Sequence, residues 1–311
     1  MKNINIDIHA DDYGYSLNTS KDILECIKKG CLDSISIICN THSFEESMDL
    51  FYKEIPNLPY LPLLSVHINL VEGYNLSNSP LLSVNGINTS SWGDLLIGSL
   101  GGMKKDLKIQ LKEEIKAQIL KTDEAIKKCI KIAKENGIEC KQNGLRIDSH
   151  VHTLPIPLLF EALTEVIEEE ELDVEYIRNP KEPLLPFLST LSLYPTYGIV
   201  NIMKNIILNI FSGKIDKYCE KKNYQKMYMW GLVMSGSMDY ERVKKIYNKM
   251  VTYSKRHNRN LELLFHPGSA LELETSEEYG KDYFKNANLS PNRKVEKEAV
   301  LKIRGIYGNK D

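Results

Sequence analysis

The sequence predicts an α/β protein, a distorted (β/α) barrel of about seven parallel strands with helical and loop insertions. Three observations lead there. Short β-rich runs alternate with longer runs of helical period along most of the chain. Spread over 311 residues, these units suit a closed or nearly closed barrel better than an open dinucleotide-binding sheet. No G-x-G-x-x-G follows the first strand, and no G-x-x-x-x-G-K-[ST] occurs anywhere.

The first strand is "NINIDIHA" (3–10), where isoleucines alternate with polar residues. It is followed by "SISIIC" (34–39), "LLSVHINL" (63–70), "LRIDSH" (145–150), "DVEYIR" (173–178), "MWGLVMS" (229–235) and "LELLFH" (261–266). Helical patterns lie between them at 20–29, 44–54, 105–136, 157–170 and 239–256. In the third of these, Leu107, Leu111, Ile115, Ile119, Ile126 and Ile130 recur at helical spacing. Two stretches break the alternation: 71–104, rich in Asn, Ser and Gly, and roughly 180–227, rich in Pro and Tyr. Neither has the composition of a flexible linker, so both read as insertions on a single domain spanning 1–311.

The composition is that of an ordinary globular protein, and a net charge of -2 with mixed signs offers no electrostatic footprint for nucleic acid or an anionic membrane. The strand-like pattern begins within a few residues of Met1, leaving no room for a signal peptide, so the expected location is cytoplasmic. The most apolar stretch, "YGIVNIMKNIILNIF" (197–211), is too short to span a membrane and contains Lys204. It suits a packed helix or the contact face of a homodimer. Six cysteines form no C-x-x-C pair and read as reduced, mostly buried thiols.

In a parallel β/α architecture the chemistry gathers at the C-terminal ends of the strands. Strand one ends in His9, Asp11 and Asp12; strand two near Asn40; strand three in His67, Asn69 and Glu72. Strand four ends in Asp148, His150 and His152, strand five in Arg178, and strand seven in His266. Five of the seven histidines therefore sit at strand ends. Each has a plainer reading: a hydrogen-bonded structural histidine, or, for "ADD", an aspartate capping the next helix. Taken together they offer one carboxylate and two imidazoles to a divalent ion, Zn²⁺ or Mg²⁺. The cation offsets the repulsion of Asp11 and Asp12, and the aspartate that does not bind it remains as a general base. This is the donor set of metal-assisted hydrolysis.

The blocks "HADDYG" (9–14), "SVHINLVEG" (65–73), "DSHVHTLPIP" (148–157), "IRNPKEP" (177–183) and "FHPG" (265–268) resemble, in the same order, those of the YdjC/ChbG-like carbohydrate deacetylases. The resemblance implies a metal-dependent enzyme that removes acetyl groups from small N-acetylated amino sugars or chitin-type oligosaccharides. Carried over block by block, it makes Asp12, His67 and His150 the metal ligands, Asp11 the base and His266 the acid that protonates the leaving amine. His9 replaces an asparagine common in the family and offers an additional weak ligand, while Leu154 and Val71 are further departures.

Around that core, Arg178 is expected to hold Asp11 ionised, and Asp148 or Glu182 to orient a catalytic histidine. Glu72, Asn40 and His152 are further candidates for second-layer or substrate contacts. A backbone N–H near Tyr13 and Gly14 is the candidate oxyanion donor. Trp92, Tyr194 and Tyr197 are candidates for stacking on sugar rings. The alternative is a hydrolase of the same fold acting on a non-sugar amide or a phosphoester.

Overall fold

Runs of Ile, Leu and Val bounded by turn formers do make the strands, and polar residues at every second position decide what the sheet encloses. The computed structural model describes residues 3–279 and 282–307. Seven strands form one parallel sheet: β1 (Ile6–Tyr13), β2 (Ser34–Ile37), β3 (Leu63–Ile68), β6 (Leu145–Ser149), β7 (Val174–Ile177), β8 (Met227–Trp230) and β9 (Asn260–Phe265). Their spatial order is β7-β6-β3-β2-β1-β9-β8. A two-residue-per-strand hairpin, β4 (Ser83–Val84) with β5 (Ile87–Asn88), stands apart in the 71–104 insertion.

The sheet curls into a barrel whose ladder stays open between β7 and β8. A backbone bond reaches across the gap from Met229 N–H in β8 to the C=O of Lys181, past the end of β7, at 3.1 Å. Outward-facing residues such as Ile8, Ala10, Leu261 and Leu263 are buried against the helix layer. The inward face is polar: Asp7, His9 and Asp11 on β1, Ser34 and Ser36 on β2, His67 on β3, Arg146 and Asp148 on β6, Glu262 on β9. Pairing places them side by side, with His9 opposite Ser34, Asp7 opposite Glu262 and His67 opposite Asp148.

The helices are α1 (Leu17–Lys28), α2 (Phe44–Glu54), α3 (Trp92–Gly98), α4 (Lys104–Glu135), α5 (Pro157–Glu169), α6 (Leu185–Leu188), α7 (Ile199–Lys222), α8 (Tyr240–Arg256), α9 (Asp282–Asn288) and α10 (Asn292–Tyr307). Ser16 caps α1 by accepting from Thr19 N–H, so neither Asp11 nor Asp12 has that task. The structure corrects or adds to the sequence expectations in three places. The strand expected at 229–235 is β8, which ends at Trp230, because Gly231 turns at φ 155°. A Cβ there would meet the Leu264 carbonyl oxygen at 2.6 Å, so the close approach to β9 requires glycine.

Second, the 180–227 insertion is dominated by the 24-residue α7, whose buried face is Asn205, Leu208, Ser212, Ile215 and Cys219. The opposite face leaves Ile199 at 77% and Ile210 at 72% exposure, with Val200 and Met203 also exposed. Third, the chain beyond 268 contributes α9 and α10, which no periodicity signalled. Among the described residues no helix is long and apolar enough to cross a membrane.

Candidate active site

Consecutive side chains of a strand point to opposite faces, so adjacent Asp11 and Asp12 cannot share a site on a regular β1. The strand solves this locally. Its register with β2 shifts between Ala10 and Tyr13, and Asp12 takes a left-handed φ of 73°. That kink turns both carboxylates to the barrel mouth. A second left-handed kink, at Val151 (φ 44°) and His152 (φ 53°), follows His150 just after β6.

At the mouth, three donor atoms converge. Asp12 Oδ1 is 3.5 Å from His67 Nε2 and 3.1 Å from His150 Nδ1, and the two imidazole nitrogens are 3.3 Å apart. The other polar atom of each residue is already held. Asp148 Oδ1 accepts from His67 Nδ1 at 2.5 Å, and Glu72 Oε1 accepts from His150 Nε2 at 2.8 Å. Arg293 Nη2 donates to Asp12 Oδ2 at 2.8 Å. Carboxylates only accept, so each histidine spends one N–H on its carboxylate, and a neutral imidazole turns its remaining lone pair inward. Asp12 Oδ1 and the two inward nitrogens then repel one another unless positive charge, as protons on the imidazoles or as a metal cation, lies among them. The arrangement calls for a cation, and one carboxylate with two carboxylate-oriented imidazoles fits a divalent metal.

The protonation energetics express the same demand. Burial lowers His67, but Asp11 and Asp148 more than offset it and raise its pKa to about 10. His150 is likewise lowered by burial and raised by Asp12 and Glu72, to about 9. Asp12 is raised by burial yet held well below the carboxylate range by Arg293 and His150. If this group holds a divalent ion, a His67→Ala/His150→Ala double variant should fail to retain the Zn²⁺ that wild type retains, read as metal content after dialysis against Zn²⁺ and then buffer. Retention of a full equivalent would contradict this ligand set.

Asp11 lies on the other side of the same mouth. Arg178 Nη1 contacts its Oδ1 at 2.9 Å and its Oδ2 at 3.0 Å. Burial favours the neutral acid, but Arg178, His67 and His9 outweigh it and hold Asp11 well below the usual carboxylate range. Arg178 also reaches Glu262 Oε1 at 2.6 Å and Asp148 Oδ2 at 3.3 Å. His266 Nε2 stands 3.9 Å from Asp11 Oδ2. Its backbone N–H donates to Glu296 Oε2 at 2.7 Å, and its Nδ1 is 3.7 Å from the same oxygen.

His9 is no additional ligand at the Asp12 group. Its Nδ1 and Nε2 are 2.5 and 2.7 Å from Ser34 and Ser36 Oγ, and its Nε2 is 3.0 Å from Asp11. The groups Asp7–His9–Glu262 and His9–Asp11–Asp148 also bring donor atoms together. There, Arg146 on Asp7 and Arg178 on Asp11, Asp148 and Glu262 already supply the positive charge.

Other expectations resolve differently. Glu182 orients no histidine: it accepts from the backbone N–H groups of Gly231, Leu232 and Val233 at 2.8, 3.1 and 2.8 Å and so fixes the loop after β8. Asp148 does orient one, His67, and the carboxylate beside His266 is Glu296. Asn40 contacts no open space; its amide donates to the carbonyls of Asn69, Glu72 and Tyr74, fixing the loop that carries Glu72. Gly14 N–H donates to Ser20 Oγ at 2.9 Å and does not face the mouth. His152 lines the cavity; burial, then Arg178, lowers its pKa to about 3, and its C=O accepts from Trp92 Nε1 at 3.3 Å. Tyr194 packs on Tyr197, which packs on Phe187, and neither tyrosine is part of the cavity wall.

The cavity above these groups has a volume of about 640 Å³. Its wall includes Asp11, Asp12, His150 and His266, with Trp92 from α3, Lys204 from α7 and Arg293 from α10. Arg293 and Glu296 were missed from the sequence. Their only signal is an i,i+3 pair that shares a helix face.

Residues 5–129 match the family model described as YdjC-like protein. The chain is 28% identical over 180 residues to a carbohydrate deacetylase of Thermoanaerobacter pseudethanolicus, covering 57% of this chain and 62% of the relative. A carbohydrate deacetylase of Danio rerio is 24% identical over 59% of this chain and 52% of its own length. A chitooligosaccharide deacetylase of Proteus mirabilis is 32% identical over 80 residues, 26% of this chain and 30% of the relative. The matches to the first two thus span about three fifths and one half of those proteins. The fold is shared with a crystal structure from Enterococcus faecalis V583, of a protein provisionally named for cellobiose-phosphate cleavage. The TM-score is 0.54 at 15% identity over 96% of both chains.

Proposed function

We propose, from the match of residues 5–129 to the YdjC-like family model and the likeness to carbohydrate deacetylases, that the chain is a metal-dependent hydrolase that removes N-acetyl groups from small amino sugars or chitin-type oligosaccharides. The observation that carries the reading is the convergence of Asp12, His67 and His150 beside an Asp11 kept ionised by Arg178. Asp12, His67 and His150 would hold the ion, which when bound supplies Lewis acidity and lowers the pKa of water. Two imidazoles favour zinc over magnesium.

The remaining work falls to the chain. Asp11 accepts the proton of the water that attacks the acetamide carbon, and Arg178 keeps its carboxylate charged and aimed. His266, on the open side of Asp11, gives a proton to the nitrogen as the C–N bond breaks, releasing acetate and a free amine. Glu296 holds His266 from behind. Trp92 offers an aromatic face at the cavity wall, suited to the apolar face of a pyranose. Among the described residues the two other donor groups are already met by guanidinium groups, which disfavours a two-metal phosphoesterase.

The test incubates zinc-loaded protein with a panel of N-acetylglucosamine oligomers and with phosphate monoesters. Acetate and new primary amine should appear in equal amounts and stop on chelation. Phosphate release without acetate would overturn the assignment.

A further inference from the structure

The site as described leaves the oxygen of the scissile acetyl group without a protein donor. Of the donors expected near Tyr13 and Gly14, Gly14 N–H is bound to Ser20 Oγ, and a Cβ at Gly14 would meet the Ile38 carbonyl oxygen at 2.6 Å. Gly14 serves close packing. The other candidate comes from α10. The Arg293 side chain is only 10% exposed and lines the cavity together with Asp11, Asp12, His150 and His266. Its Nη2 is spent on Asp12 Oδ2 at 2.8 Å. Its Nη1 is buried with no hydrogen-bond partner.

An unpaired buried N–H is costly, above all on a charged group, so a folded chain keeps one only where something else offsets the cost. Both nitrogens belong to one rigid planar fork, so a guanidinium pinned to Asp12 by one arm holds its other arm at a fixed place next to that carboxylate.

We infer that Arg293 is a catalytic residue whose Nη1–H donates to the acetyl oxygen of the substrate. The inference rests on the deacetylase reading above. As the water oxygen bonds to the acetyl carbon and gives its proton to Asp11, the carbonyl π pair moves onto the acetyl oxygen and meets the guanidinium. When the C–N bond breaks, the pair returns and the nitrogen takes the proton from His266. A donor already fixed by Asp12 needs no reorganisation as the charge develops, which is where such a group is most effective.

The experiment compares wild type, Arg293→Gln and Arg293→Lys on the N-acetylglucosamine oligomer cleaved fastest, and titrates Zn²⁺ into each chelator-treated protein by calorimetry. Arg293→Gln should lose about 10²–10³ in kcat, with KM changed less than about threefold. Arg293→Lys, which keeps the charge but not the fork, should recover part of the loss. Zinc should bind Arg293→Gln at least as tightly as wild type, because a cation next to a ligand has been removed. Retention of kcat within twofold would overturn the inference and leave the deacetylase reading standing. So would a tenfold loss of zinc affinity in both variants that accounts for the lost turnover, since Arg293 would then only support Asp12. Wild type that releases no acetate from any oligomer would remove the deacetylase reading itself, and the inference with it.

Discussion

Asp11→Asn is expected to keep its divalent cation and to lose about 10²–10⁴ of its turnover, the contribution of a positioned general base. The side chain keeps its shape, and its amide oxygen can still accept from Arg178, so the mouth should not rearrange. Asp12, His67 and His150 lie outside the substitution, with their own partners Arg293, Asp148 and Glu72. Only the capacity to take a proton is removed. Burial alone would raise the wild-type carboxyl, but Arg178 foremost holds it well below its ordinary value of 3.8. A depressed pKa means that Asp11 protonates only below the usual carboxylate range. It is therefore a competent base throughout pH 5–8, and a fall in kcat/KM between pH 7 and 5 must come from another group. Metal content with acetate release decides the matter. A variant that loses the ion, or keeps more than a tenth of its turnover, would show that Asp11 has a different role.

The strands are legible in the sequence because each is a short run of β-branched or aromatic residues between turn formers, and their C-terminal ends are legible because polar residues cluster there. What is not legible is the backbone event that makes the cluster a site. The left-handed Asp12 is stabilised by the packing of β1 on β2, a long-range effect with no local residue signature. The polar barrel interior is written in period two, as Asp7, His9 and Asp11, as Ser34 and Ser36, and as Arg146 and Asp148. Attention to strand ends passes over it. On α7 the buried stripe is hidden because two of its five positions are Asn205 and Ser212, which read as polar. Arg293 and Glu296 sit in "NRKVEKE", a stretch that reads as a solvated helical face until the fold sets α10 against the mouth.

The largest effect on stability should come from Arg178→Leu. Arg178 is 2% exposed and stands between three buried carboxylates, Asp11, Asp148 and Glu262. Leucine fills part of the space but leaves those anions without their shared cation. Breaking a buried ion pair from one side costs about 3–5 kcal/mol, roughly 5–10 °C in Tm for a chain of this size. The pH dependence carries a definite sign. In wild type, burial raises Asp11 and Asp148, yet Arg178 and the neighbouring histidines hold both below 3.8. Their ionised forms therefore add stability above pH 4 that is lost as the solution is acidified. Without Arg178 the burial effect is opposed only by histidines, and the folded-state pKa values rise. A carboxyl whose folded pKa exceeds its unfolded one destabilises the fold increasingly as pH climbs from the unfolded value to the folded one. The deficit of the variant should thus be largest at pH 8 and shrink toward pH 5. Arg178→Lys, which restores one charge without the fork, should fall between. Thermal melts at the two pH values measure this directly. A deficit that widens toward acid would mean that the three carboxylates draw their compensation from somewhere other than Arg178.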